Sequence, residues 1–218
     1  MNKVASLPSG DRADLFRNVA ERMDLVEGLI EKDFWVCWIL KHLFSIADLE
    51  PHILFKGGTT LSKIFGVIQR FSEDIDVAVD YKMLGFTGGR DPTADMSNTK
   101  RTKLLDEMLK VCRQYIASDF IEILEMRIAE TLSDKTAWKL YVDPDDGHIV
   151  NFAYPRAVDA VPYVQPEVRL ELGTHAEFIP NDRYTVQPYA AEYFPAVFDD
   201  ADCPVHQQLE ERIRDMAV

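Results

Sequence analysis

The chain has 218 residues, 47% of them hydrophobic and 28% charged, and its 24 basic against 37 acidic side chains give a formal net charge of −13. This suits a folded protein of one domain, or one and a half; no apolar run is long enough to span a membrane and the first ten residues lack the apolar core of a secretion signal, so the expected location is the cytoplasm. The acidic balance counts against a nucleic-acid partner unless a local basic patch meets the polyanion, whereas a nucleoside triphosphate needs only a metal ion and a few donors.

In chain order, residues 1–10 read as extended or disordered. Residues 11–23 read as a helix with Leu15, Val19 and Met23 on one face and acidic residues in its first turn. A second helix is expected over 31–44, where Phe34, Trp35, Val36, Cys37, Trp38, Ile39 and Leu40 make it apolar nearly all round and place it in the body of the domain. Lys32 and Asp33 at its start could reach a site, with local charge pairing at a helix start as the plainer reading.

Residues 53–80 read as strand, glycine turn, helix, strand. Gly57 and Gly58 reach backbone angles closed to residues with a Cβ, so the chain can turn sharply there and approach a ligand. Thr59 or Thr60 can cap a helix whose apolar residues, Leu61, Ile64, Phe65 and Ile68, recur at i, i+3, i+4 and i+7. Residues 74–79 then alternate, sending Asp74 and Asp76 to one side and Ile75 and Val77 to the core. Two carboxylates so close repel unless a cation lies between them, and hard oxygen ligands point to Mg2+. The free N–H groups of the turn and helix start suit a phosphate.

A triphosphate on one side and a metal on the other describes nucleotidyl transfer. Each half also has a plainer reading, Gly-Gly as turn chemistry and Asp-x-Asp as a solvated strand face, but within one strand-helix-strand unit the two reinforce each other. The alternative enzyme is a glycosyltransferase holding its metal and sugar nucleotide on the same Asp-x-Asp pair.

Residues 85–98 carry turn formers without periodicity and read as a loop. Around it Lys82, Arg90, Lys100, Arg101 and Lys103 are the best candidate basic patch, with a solvated loop and helix start as the plainer reading. A third helix is expected over 102–117, with Leu104, Leu105, Met108, Val111, Cys112 and Tyr115 inward. Strands are expected over 120–124, 138–142, 149–154 and 164–172, with residues 143–148 as a hairpin turn and not a calcium loop. In the last strand Val164, Pro166, Val168, Leu170 and Leu172 share one face and Glu167, Arg169 and Glu171 the other, which on these residues alone is a solvent face with cross-strand pairing.

Residues 174–204 read as an irregular return and 206–217 as a short amphipathic helix. Cys37, Cys112 and Cys203 are odd in number and far apart, fitting reduced, buried thiols. His42, His52, His148, His175 and His206 show no metal-ligand spacing. The fold class is α/β (α+β).

Lys56-Gly57-Gly58-Thr59-Thr60-Leu61-Ser62, followed by Arg70-Phe71-Ser72-Glu73-Asp74-Ile75-Asp76, resembles the signature of the AbiEii/AbiGii-type nucleotidyltransferase toxins, a branch of the DNA polymerase β-like nucleotidyltransferase superfamily. Ile30-Glu31-Lys32-Asp33-Phe34-Trp35-Val36 and Arg169-Leu170-Glu171-Leu172-Gly173 are similar to flanking segments of that family. The resemblance runs from about residue 30 to about residue 205. It implies a nucleotidyltransferase-like mixed twisted sheet flanked by helices over 1–205, with 206–218 a short terminal helix where relatives continue into a helical half.

The same resemblance implies that a third carboxylate from a neighbouring strand, matched by Glu171, joins Asp74 and Asp76 as the catalytic group holding Mg2+ or Mn2+. It implies nucleotide binding by Lys56, Gly57, Gly58, Thr59, Thr60, Arg70 and Ser72. An RNA acceptor such as a tRNA end, and growth arrest held in check by a cognate antitoxin, are implied as well. The non-enzyme alternative is a catalytically impaired remnant of the fold that binds nucleotide or a partner.

Overall fold

The computed structural model describes residues 1–56, 74–162, 164–174 and 181–208. Within them the chain begins with three helices, α1 (Asn2–Ala5), α2 (Ser9–Met23) and α3 (Glu27–Leu43). Strands β1 (Ile53–Lys56) and β2 (Asp74–Val79) follow, then α4 (Asn98–Tyr115), which passes through a π turn at Ile116–Phe120 into α5 (Ile121–Ala129). The remainder is β3 (Lys139–Val142), β4 (Ile149–Ala153), β5 (Glu167–Gly173), β6 (Asn181–Val186), α6 (Tyr189–Tyr193) and β7 (Cys203–Gln208).

The strands form a mixed sheet in the order β3-β4-β5-β2-β1-β7-β6. Its body is the five strands from β3 to β1, in which β2 and β5 run parallel and the other neighbours antiparallel. The antiparallel β6–β7 pair joins this body through a single parallel pair, Phe55 with Gln207. One face of the sheet is apolar: Phe55, Ile75, Val77, Phe152, Val168, Leu170 and Leu172 belong to the same core as α3. Every residue from 30 to 40 is buried, as expected of a helix apolar nearly all round.

That helix starts four residues before the expected point, so Lys32 and Asp33 lie inside it at 2% and 0% exposure. They are not the exposed charges expected of a helix start. Asp33 Oδ2 accepts from the Tyr189 N–H at 2.7 Å, and Glu31 accepts from the Ala157 and Val158 N–H groups at 2.6 and 3.4 Å. Two acidic side chains of α3 therefore tie down distant segments. Gly28 of α3 packs against Val161, and a Cβ there would fall 2.6 Å from Val161 Cγ2. Gly28→Ala is expected to lower thermal stability by about 1–3 kcal/mol, the usual penalty of overpacking, read as a drop in Tm.

Other expectations need correction. Residues 1–10 are ordered: Met1 is fully buried, Asn2 Oδ1 accepts from Trp38 Nε1 at 2.9 Å, and the buried Arg12 donates to the carbonyls of Leu7 and Pro155, both at 2.7 Å. The anchors lie far along the chain, so no local pattern announces them. The inward face of α2 is Arg12, Phe16, Val19 and Ala20, with Leu15 and Met23 partly buried at its edge.

The expected strand at 120–124 is helical. Its β-branched residues favour a strand over five positions, but Ile116, Phe120, Leu124 and Ile128 recur every fourth residue and are all fully buried, and this longer period prevails. The return segment contains β6, α6 and β7, and His206 is in a strand, not at a helix start. There Cys203 and Val205 point inward on either side of exposed Pro204, a pattern too short and proline-broken to read as a strand without its partner. The expected helix near 59–68 and the chain beyond 208 lie outside the described residues.

Cys37, Cys112 and Cys203 are free and buried, as expected of reduced thiols. The turn at 143–148 is held by its own acids: Asp143 Oδ1 accepts from the N–H groups of Asp145 and Asp146, and Asp146 Oδ1 from His148 N–H. No described helix is long and apolar enough to cross a membrane.

Candidate active site

The second face of the sheet carries the polar residues of β2 and β5. Alternation along β2 puts Asp74 and Asp76 there, while Ile75 and Val77 enter the core fully buried. Along β5 the same period puts Glu167, Arg169 and Glu171 on this face, because successive strand side chains point oppositely. Parallel pairing then sets Asp76 directly opposite Glu171, and antiparallel pairing sets Lys56 of β1 opposite Asp76 on its other side. Lys56, Asp76 and Glu171 thus form one row across three strands. Asp74 lies one pleat along, opposite Arg169.

The row lies at a border. On one side Leu54 and Ala78 of the same face are buried, at 2% and 0% exposure, while on the other Asp74 and Arg169 are exposed. Asp76 and Lys56 are half-buried, and Glu171 is exposed. Directly opposite like charges are unfavourable, and the chemistry of Asp76 registers it. Burial, and then the charge of Glu171, push its carboxyl above the ordinary carboxylate range; Lys56 pulls it back and Asp74 pushes it further up.

A carboxyl held more basic in the folded chain favours folding fully below its unfolded pKa, and that contribution is lost as pH rises through the folded value. In metal-free protein Asp76→Asn is therefore expected to raise Tm by about 1–2 °C at neutral pH, the scale of one like-charge pair, with the difference vanishing near pH 4. A melting series over pH checks it; an Asp76→Asn protein less stable than wild type at pH 7 without metal counts against the repulsion.

The donor set here is all carboxylate oxygen on an accessible face, which fits a hard divalent cation better than a soft one. Among the described residues no group of three His, Cys, Asp or Glu side chains is already arranged to hold an ion. Asp74 and Glu171 are exposed side chains, however, on the same sheet face as Asp76, and turning toward it costs rotamer freedom. Asp74, Asp76 and Glu171 are the residues that would hold the ion.

Of the nucleotide-binding candidates, Lys56 ends β1 in the acid row, whereas Gly57, Gly58, Thr59, Thr60, Arg70 and Ser72 lie outside the described residues. The basic candidates gather on a small second apolar cluster of Phe86, Leu104 and Met108, separate from the main core. Lys82 Nζ lies 5.9 Å from the Tyr81 ring centre, and Arg90 lies over Phe86 at 4.4 Å while pairing with Glu107 at 2.8 Å. Lys100, Arg101 and Lys103 are exposed on the first turns of α4. None of the five shares a strand with the acid row.

The histidines supply no metal set among the described residues. Burial lowers the His42 pKa to about 4, and His206 Nε2 lies 2.6 Å from Glu50 Oε1. Sequence reasoning left Arg169 unassigned. Alternation along β5 placed it beside Glu171, but its position opposite Asp74 follows from register alone.

The family model described as "Nucleotidyl transferase AbiEii toxin, Type IV TA system" matches residues 38–207, well over half of the chain and including the whole acid row. No curated protein matches the chain.

Proposed function

The chain belongs to the AbiEii family of nucleotidyl transferase toxins of type IV toxin–antitoxin systems, and from that premise we propose that it is a metal-dependent enzyme transferring a nucleoside monophosphate from a nucleoside triphosphate to an RNA hydroxyl, such as a tRNA end. The observation that supports this reading best is the register of β2 against β5, which sets Asp76 opposite Glu171 on an accessible sheet face with Lys56 beside them.

In this reaction the acceptor oxygen attacks the α-phosphorus, pyrophosphate leaves, and the hydroxyl proton must be taken up. Mg2+ (or Mn2+), bound by Asp74, Asp76 and Glu171, would neutralise charge developing on the phosphates. Glu171, exposed in the row, or Asp76, with its raised proton affinity, orients the acceptor hydroxyl and can receive its proton. Lys56 brings a positive charge to the row and can meet a phosphate oxygen. Gly57, Gly58, Thr59 and Thr60 follow it directly in sequence and are assigned to the β and γ phosphates, with Arg70 and Ser72 assisting.

In the cell, this activity would arrest growth in the cytoplasm until a cognate antitoxin restrained it. The test is to incubate the purified protein with each labelled triphosphate, Mg2+ and total RNA. Label is expected in RNA with at least one nucleotide and to vanish on chelation; no incorporation from any of the four rejects the proposal.

A further inference from the structure

We propose that Arg169, with Tyr141 and Lys139, forms the acceptor side of this site, gripping the phosphodiester backbone of a single-stranded nucleic-acid end and stacking one of its bases. This rests on the nucleotidyl transfer reading and names the surface the acceptor uses. Next to the acid row runs a second row on the same face: Asp74 of β2, Arg169 of β5, Asn151 of β4 and Tyr141 of β3, each opposite the next. With neighbouring strands about 4.8 Å apart, this row leads roughly 10 Å from Arg169 to Tyr141.

Asn151 and Tyr141 are held by acids outside the row, whereas the Arg169 guanidinium bonds to none of them and only lends its charge to Asp143, whose carboxyl it helps the Asp145 N–H hold below the ordinary range. Asn151 Nδ2 donates to Asp143 Oδ2 at 3.1 Å, and the Tyr141 hydroxyl donates to Glu167 Oε2 at 2.8 Å. Arg169 is exposed and makes no hydrogen bond or ion pair with the described residues, although Asp74 lies directly opposite. A planar fork of donors left open beside a row of acids matches the bidentate geometry of a phosphate. Lys139 places its Nζ 4.7 Å from the Tyr141 ring centre, so the strip ends in a second cation against an aromatic surface. Cations interleaved with a ring are what a single strand requires, the charge for its backbone and the ring for a base. The strip also answers the net charge of −13, because it supplies its cations where the chemistry lies and asks for no basic surface overall. Arg90, by contrast, already pairs with Glu107.

The test pairs two binding measurements on full-length wild type, Arg169→Gln, Arg169→Lys, Tyr141→Ala and Tyr141→Phe, each shown to be folded by melting. One is anisotropy of a 5′-labelled 12-nucleotide single-stranded RNA across a salt series. The other is the thermal shift produced by a non-hydrolysable triphosphate with Mg2+. Arg169→Gln is expected to weaken RNA binding about tenfold and to reduce the salt slope by about 0.7, with Arg169→Lys recovering part of the loss. Tyr141→Ala should cost about tenfold and Tyr141→Phe nothing, while the nucleotide shift stays as in wild type throughout. Unchanged RNA affinity and slope in Arg169→Gln and Tyr141→Ala overturns the proposal and makes Arg169 a charge balance for its acidic neighbours. Loss of the nucleotide shift with RNA binding intact overturns it too, reassigning Arg169 to the triphosphate. Wild type that binds nucleotide but no RNA removes the acceptor surface and leaves the nucleotide half of the site standing; wild type that binds neither removes both.

Discussion

Asp76→Asn is expected to lower nucleotidyl transfer by at least about 100- to 1,000-fold, the loss that follows removal of one preorganised electrostatic group from a reacting centre, while the fold persists. Asp76 is the residue around which the row is built: Lys56 faces it from β1, Glu171 from β5, and Asp74 shares its strand face. Asparagine keeps the shape and removes the charge, so packing on the far side of β2, where Ile75 and Val77 are fully buried, is untouched. Glu171→Gln should be comparably severe, since it takes the opposing carboxylate from the same row. Asp74→Asn should be milder, because Asp74 is exposed and one pleat away.

The measurement is initial rate of label transfer at saturating Mg2+ and triphosphate, alongside melting curves. The opposite signs expected for Asp76→Asn, loss of rate with a small gain in metal-free stability, separate a functional carboxylate from a structural one. An Asp76→Asn protein with wild-type rate would end the case for this row as the reacting centre.

Trp35→Ala should produce the largest loss of stability. Trp35 is fully buried in the middle of α3. Its ring stacks on Tyr154 at 5.6 Å and 14° and meets Phe34, Trp38 and Phe152 edge-on at 5.0, 5.3 and 6.0 Å. The Arg12 guanidinium lies 5.8 Å from it. Truncating such a residue costs about 3–5 kcal/mol in lost transfer energy and residual cavity, which for a chain of this size lowers Tm by about 6–20 °C. The effect reaches the site through the sheet: Phe152 belongs to β4, and β4 pairs along its length with β5, the strand that carries Glu171. Transfer should therefore fail at a lower temperature in Trp35→Ala than in wild type, yet at temperatures where the variant is folded its rate should be near normal. A drop in Tm below about 3 °C would mean that the aromatic cluster repacks around the gap.

The most legible parts of this protein were those in which a short window carries its own instruction. The strand at Asp74–Val79 was read to the residue, because alternation over six positions allows no rival period. Helix α3 is legible as buried because residues 34–40 are all apolar, but its start at Glu27 and the burial of Lys32 and Asp33 are not. The misreadings share a cause. At 120–124 a local β pattern concealed a helix whose period shows only over 116–128, and β6, β7 and α1 draw their stability from partners far along the chain.

For the candidate site the division is just as clear. That Asp74 and Asp76 share one strand face, and Glu167, Arg169 and Glu171 another, was written into residues two apart, since the direction of a strand side chain is a local property of the backbone. Whether those two faces meet, and at which rung, was not. Asp76 stands opposite Glu171, and Asp74 opposite Arg169, because the burial of Ile75, Val77, Leu170 and Leu172 against α3 selects one register, and a slip of one residue would turn every apolar side chain of the strand out of the core.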